Sequence, residues 1–345
     1  MIFFSIGLPS CFTEWCDNVI TRLVQQTLGP VETAGVDTIE QFAVAVLRAR
    51  SPYQMIASRQ TVGRLWSALP EANNGIIVIL DDPRLALENL VVRHNLDFVQ
   101  ATRIVARSCA AVASCTSVPG ALVLSPASDG VNPVATAQTI ARHLQLGISE
   151  GDVANILINI DQCSWPQRSA VWWNSLTEQE RLLAIGALEP YVAHLEGGDL
   201  APIIWERELF FINDEEHGEP RRPYSHPADI TGRARYVLLG PDITLPPGSW
   251  SATITLGFSE EATQVGYIVE VHTDTRLAHV RVDPSKQRSV EAKLDFALAE
   301  PNNVNVAVHI ERAAFEGRLA LGHVVMTYLK PRPRTESYFD AALGA

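Results

Sequence analysis

The residues best placed to do chemistry lie at the start of the chain. An apolar run, Ile2-Phe3-Phe4-Ser5-Ile6, passes through Gly7-Leu8-Pro9-Ser10-Cys11-Phe12-Thr13-Glu14-Trp15 into a helical pattern. A strand running through such a loop into a helix has the geometry of a phosphate-binding loop, where backbone amides at the helix N-terminus cradle an anion. Cys11 invites a second chemistry, a thiolate nucleophile held under the helix end. That chemistry needs an arginine in the loop, and Asp17 stands in its place, so a buried structural thiol is expected instead. The sequence holds no Gly-x-Ser-x-Gly elbow, no His-Glu-x-x-His helix and no His/Cys set at metal spacing, and no metal centre is expected. His217, His226, His272, His279, His309 and His323 are scattered and read as surface or cross-strand residues.

Composition narrows the partners. With 39 acidic against 27 basic residues and a formal charge of −12, the chain is ill suited to a sequence-blind grip on polyphosphate backbones, which works by lysine and arginine neutralising phosphates. Nucleic acid is therefore not an expected partner. The five cysteines include no CxxC pair, the apolar opening lacks a basic n-region, and no run approaches the length of a membrane span. These features predict a cytoplasmic protein with free thiols and no membrane span.

The elements that must position the loop follow from periodicity. Short apolar runs at 2–7, 76–80 and 121–124 alternate with helical patterns at 15–28, 37–50, 84–94 and 96–113 and a helix opened by Asn132-Pro133. Strands that cross over through helices build a parallel sheet, so 1–160 is predicted to be an α/β domain. In 161–231, Thr177-Glu178-Gln179-Glu180 is a capping box before an apolar helix. The proline-rich, charged stretch after it reads as the interdomain connection. Beyond Gly232 the period becomes two: Trp250, Ala252, Ile254, Leu256 and Phe258 form one alternating set, and Val304, Val306, Val308 and Ile310 another. Residues 232–330 are thus predicted to form an all-β sandwich of the jelly-roll type, with 331–345 a loose tail.

The opening loop resembles that of the PAPS-dependent sulfotransferases, whose first strand runs into Gly-x-Pro-(Arg/Lys)-Ser-Gly-Thr-Thr-Trp; Gly7, Pro9, Thr13 and Trp15 match. Leu80-Asp81-Asp82-Pro83-Arg84 is similar to the family's Arg-Asp-Pro-Arg segment. Residues 120–124, 129–133 and 139–147 resemble its later strand, acidic turn and helix. The resemblance covers about the first 150 residues and implies a P-loop sulfotransferase-like fold. It would place Pro9, Ser10, Cys11, Phe12, Thr13, Glu14, Trp15, Asp81, Arg84 and Asn89 around the nucleotide, with Glu40 as the catalytic base if there is one. The departures fall where the chemistry would be. Ser10 replaces a cation, Phe12 a glycine, Glu14 a threonine, Asp81 an arginine and Asn89 a serine, so two charge-assisted contacts to phosphate are lost.

No cofactor is therefore expected, PAPS being the cofactor if the family's activity survives. The leading expectation is a sulfotransferase-like protein without sulfuryl transfer that recognises carbohydrate or a partner enzyme in cell-surface polysaccharide assembly. The alternatives are an active PAPS-dependent transferase acting on a glycan or small alcohol, and a homo-oligomeric scaffold. Trp172-Trp173 and the aromatics of 205–211 could stack on sugar rings, although such clusters more often pack a core.

Overall fold

The computed structural model describes residues 1–61, 63–69, 75–126, 132–158, 160, 170–214, 219–285 and 287–330. The expected turn at Asn73-Asn74, the acidic turn at Asp129, Cys163, the Ser164-Trp165-Pro166 segment, His217 and the tail lie outside them.

Strands β1 (Ile2–Gly7), β2 (Val31–Gly35), β3 (Tyr53–Ser58), β4 (Ile76–Ile79) and β5 (Leu122–Leu124) form a parallel sheet in the order β2-β3-β1-β4-β5. Parallel strands need crossovers. Those described are α1 (Cys11–Thr27), α2 (Ile39–Arg48), α3 (Gly63–Ala68), α4 (Pro83–Glu88) with a π-helical turn Asn89–Arg93, and α5 (Phe98–Cys115). Helices α6 (Pro133–His143) and α7 (Glu150–Ile158) follow β5. Both faces of the sheet are covered, and strand alternation divides the apolar residues between them. Phe3, Met55, Ile77 and Ile79 pack with α1 and α6, whereas Phe4, Ile6, Ile56 and Val78 pack on the α5 side.

Neither β2 nor β3 is among the strands expected from the sequence. At the sheet's end, Val-Glu-Thr-Ala-Gly carries no apolar run, and its strand conformation comes from pairing with β3.

Helix α8 (Ala170–Ser175) precedes α9 (Glu178–Leu195), which starts at the expected capping box of Thr177 and Glu180. The segment read as a connection proves to be part of the sandwich. β6 (Ile203–Glu206) pairs with β16 (Arg318–Lys330), and β7 (Phe211–Asp214) lies between β8 (Glu219–Pro223) and β10 (Tyr236–Leu245). β9 (Ala228–Asp229) also pairs with β16. These strands are short and, apart from the β7–β8 pair, their partners are distant in sequence.

The remaining strands are β11 (Gly248–Phe258), β12 (Tyr267–His272), β13 (Arg276–Val282), β14 (Ser289–Leu298) and β15 (Asn302–Ile310). They complete two antiparallel sheets, ordered β13-β12-β15-β10-β7-β8 and β14-β11-β16-β6. The fully buried Trp250 and its alternating neighbours fill the space between.

The α/β unit and the sandwich share one core. Buried residues from Phe4 through α5 and α9 to Met326 form one contiguous apolar cluster. On α5, Arg103 donates to Leu209 O and lies 4.2 Å over the Phe211 ring, and Arg107 pairs with Asp242. α9 lies so close on β6 that a Cβ at Gly186 would stand 2.9 Å from Ile204 O. No helix among the described residues is long and apolar enough to cross a membrane.

Because that contact admits no side chain, Gly186→Ala should destabilise the protein by about 1–3 kcal/mol despite the better helix propensity of alanine. Urea unfolding followed by tryptophan fluorescence checks this.

Candidate functional site

In an open α/β sheet, ligands bind outside the carboxyl ends of the strands where the crossovers diverge. Here that point lies between β1, whose crossover leads out to β2, and β4, whose crossover leads to β5. The loop after β1 and the Asp81-Asp82 turn after β4 meet there, so the fold brings together most of the residues expected from the sequence.

The meeting is close-packed. Ser10 is the N-cap of α1, accepting from Thr13 N at 3.3 Å, while Glu14 N bonds to Ser10 O at 3.0 Å. Ser10 N turns back to Leu8 O at 2.7 Å. Ser10 N and Thr13 N are thus spent within the loop, and Glu14 N within the first turn of the helix. Thr13 lies directly over Gly7, where a Cβ would come within 2.7 Å of Thr13 Cγ2. This explains both residues without a ligand: glycine is needed because threonine occupies the space.

Asn89, in the π-helical turn, clamps the loop from the far side. Its Nδ2 donates to Pro9 O at 3.1 Å and to Glu14 Oε1 at 3.3 Å, and Cys11 Sγ donates to its Oδ1 at 3.1 Å. His94 Nε2 contacts the same Glu14 oxygen at 3.3 Å. Cys11 is buried, as a structural thiol should be. Phe12 does not reach into the loop mouth; it is buried against Trp15, with ring centroids 6.2 Å apart, in the core beneath α1.

The nearby charges are also committed. Arg84 is held by Asp82 at 2.8 Å and Glu189 at 2.9 Å, and Arg59 pairs with Asp17, which also accepts from Ser5. Burial raises the Asp17 carboxyl, and Arg59 draws it back. Asp81 is buried at the mouth; burial pushes its carboxyl up to about 6, against the hydrogen bonds from Ser10 and Asp82 N. Glu40 stands exposed in the first turn of α2 and takes no part in this cluster. Trp172 and Trp173, both half-buried, pack on each other and Trp172 on Phe98, whereas Trp205 and Phe210 are fully buried and offer no stacking face.

An open cleft of about 670 Å³ lies elsewhere, between the start of α9 and the β6–β16 pair. Thr177, Glu178, Gln179, Leu182, Glu206, Arg207, Glu208, Gly322 and His323 line it. Gln179 Nε2 and Arg207 Nε both donate to Glu208 Oε1, at 2.8 and 3.0 Å. The half-buried Glu206 is opposite His323 in the strand register. Burial and the adjoining Glu208 raise its carboxyl, with His323 and Arg207 opposing. The sequence signal for this cleft is Trp205-Glu206-Arg207-Glu208-Leu209, where charged residues separate buried apolar ones. Among the described residues no group of three or more His, Cys, Asp or Glu side chains could hold a metal ion.

No family model matches the sequence, and no curated protein matches it. Among solved structures, the chain is similar to a family two carbohydrate esterase from Cellvibrio japonicus, at 13% identity over 39% of this chain and 36% of that one, with a TM-score of 0.17. It is also similar to a family GH115 4-O-methyl-α-glucuronidase with specificity for decorated arabinogalactans, at 8% identity over 71% of this chain and 32% of that one, with a TM-score of 0.22. The chain thus spans about a third of each protein, and likenesses this weak carry no argument about function.

Asp81 gives the site a pH signature. In the unfolded chain an aspartate titrates near 3.9, roughly two units below the folded value, a difference on the order of 1–3 kcal/mol. Between these values the folded state keeps a proton the unfolded state has lost, so this group's contribution to stability falls as pH rises from about 4 to about 6. Asp81→Asn should therefore stabilise the protein at pH 7.5 and lose that advantage at pH 4; urea unfolding at the two pH values checks it. Asn89→Ala, which strands the Cys11 thiol and Pro9 O, should cost about 1–3 kcal/mol at either pH.

Proposed function

We propose that this chain is a sulfotransferase-like protein whose nucleotide loop has become a structural clamp, and that it acts by recognition rather than by sulfuryl transfer. The observation that carries this reading is the clamped loop: Ser10 N and Thr13 N are bonded within the turn, Thr13 sits on Gly7, and Asn89 ties Pro9 O, Cys11 and Glu14 together. A phosphosulfate needs open amides and a cation, and charge-assisted contacts supply most of the grip on such a dianion. Here Asp81 faces the mouth while Arg59 and Arg84 are held by carboxylates. These groups do not fit PAPS, and no step of transfer is derived through it.

The recognition surface in this reading is the cleft beside α9. Carboxylate, amide, guanidinium and imidazole groups alternate there with the exposed flank of Leu182. A few convergent polar groups over an apolar patch suit a hydroxyl-rich ligand such as an oligosaccharide. A partner enzyme of polysaccharide assembly is the other ligand this reading admits.

Calorimetry with PAPS and its desulfated product PAP should give no binding heat at low or physiological salt; micromolar affinity would overturn the structural-clamp reading. On a glycan array the protein should bind at least one oligosaccharide class, and Glu206→Gln with His323→Ala should abolish that signal. An array without binding, from protein that also co-purifies with no partner, would overturn recognition.

A further inference from the structure

Among the described residues strand β2 ends the parallel sheet, and its backbone shows what that edge can accept. In a parallel pair, one residue directs both its N–H and its C=O to the same neighbour, and the next residue directs both away. Val36 N bonds to Ala57 O at 2.8 Å, on β3, while Gln54 N bonds to Met1 O at 3.0 Å, on the β1 side. Both bonds set the same phase: Glu32, Ala34 and Val36 face β3, and Val31, Thr33 and Gly35 point their amides and carbonyls outward.

Edges of this kind are usually blunted by charge, proline, a bulge or a covering element. β2 carries one charge, Glu32, whose carboxylate is turned back to accept from Arg50 N and Ser51 N at 3.0 and 2.9 Å. It contains no proline, its register with β3 is unbroken over five residues, and space is open beside the Cα of Gly35. The next helix, α2, spans from β2 to β3 at the same end of the sheet. It buries no residue completely and leaves Val44 and Leu47 46% and 84% exposed.

The outward set is symmetric about Thr33. Two copies of β2 placed antiparallel across a two-fold axis at Thr33 would pair Val31 with the partner copy's Gly35 and Thr33 with itself, so every outward N–H meets an outward C=O. In the same register Glu32 lies opposite Ala34, so no like charges face each other. An axis normal to the sheet keeps both α2 helices on one face. The geometry points to a homodimer in which β2 pairs with β2 of a second copy, joining the two parallel sheets into one. A register that pairs every outward group and opposes no like charges meets what an isologous contact between two copies requires.

The test uses the full chain in analytical ultracentrifugation over about 1–100 µM, a range that resolves micromolar dissociation constants. The wild type should dimerise. Thr33→Pro removes the central outward N–H and leaves every bond to β3 in place, and Thr33→Lys opposes two like charges; each should raise the dissociation constant by about tenfold or more. Thr33→Cys should give a disulfide-linked dimer on mild oxidation, because residues facing each other in such a pair have Cα atoms about 5.5 Å apart. Circular dichroism confirms that the variants fold. A wild type that stays monomeric throughout, or a dimer that neither Thr33→Pro nor Thr33→Lys weakens and Thr33→Cys does not cross-link, would overturn the proposal; a monomer that captures an extended peptide at β2 would assign the edge to another partner.

Discussion

Helix α5 is the element on which the rest of the molecule depends. Its residues are buried nearly all round: Ala101, Val105, Cys109 and Val112 belong to the cluster that also holds β1 and β4, and the same cluster continues into β10 and α9. A helix apolar on one stripe would have served the sheet alone; burial on nearly every side requires a second layer, which the sandwich supplies. Two arginines on α5 fasten that layer. Arg103 and Arg107 reach backbone carbonyls of the sandwich, and burial, with Arg107 alongside, pulls the Arg103 guanidinium down to about 10. Charge so deeply placed is tolerable because carbonyls, the Phe211 ring and Asp242 surround it.

The docked arrangement decides which surfaces remain open. With α5 and α9 spent on the shared core, the crevice at the carboxyl ends of β1 and β4 is closed by its own side chains. Asn89 is central to that closure: its amide uses both its donor and acceptor on the loop and helix opposite. A π-helical turn widens the backbone locally and is often found where a side chain must be re-aimed; here the re-aimed side chain is Asn89.

The open polar ground is displaced to the seam between α9 and β6–β16. That seam exists because α9 crosses β6 at the backbone separation allowed by Gly186, leaving the first turn of α9 overhanging the strand ends. Carboxylates there are only half-desolvated, so Glu206 remains available to a ligand, whereas Asp81 is buried and held by its neighbours.

Local chemistry was legible in the sequence. The loop after β1, the capping box at Thr177, the Asn132-Pro133 helix start and the alternating strands β11 and β15 all rest on interactions within a few residues, so the sequence by itself determined them. It also indicated the two kinds of architecture, because the apolar period changes from the crossover pattern to strict alternation. Tertiary structure alone decided the rest. β2, β6, β7 and β9 are strands because of neighbours far away in sequence, and segments this short have little local reason to prefer that state. Whether this loop is left open or clamped by Asn89 turns on contacts across 75 or more residues. Residue identity names the groups present, but only packing determines which of their hydrogen bonds are already spent.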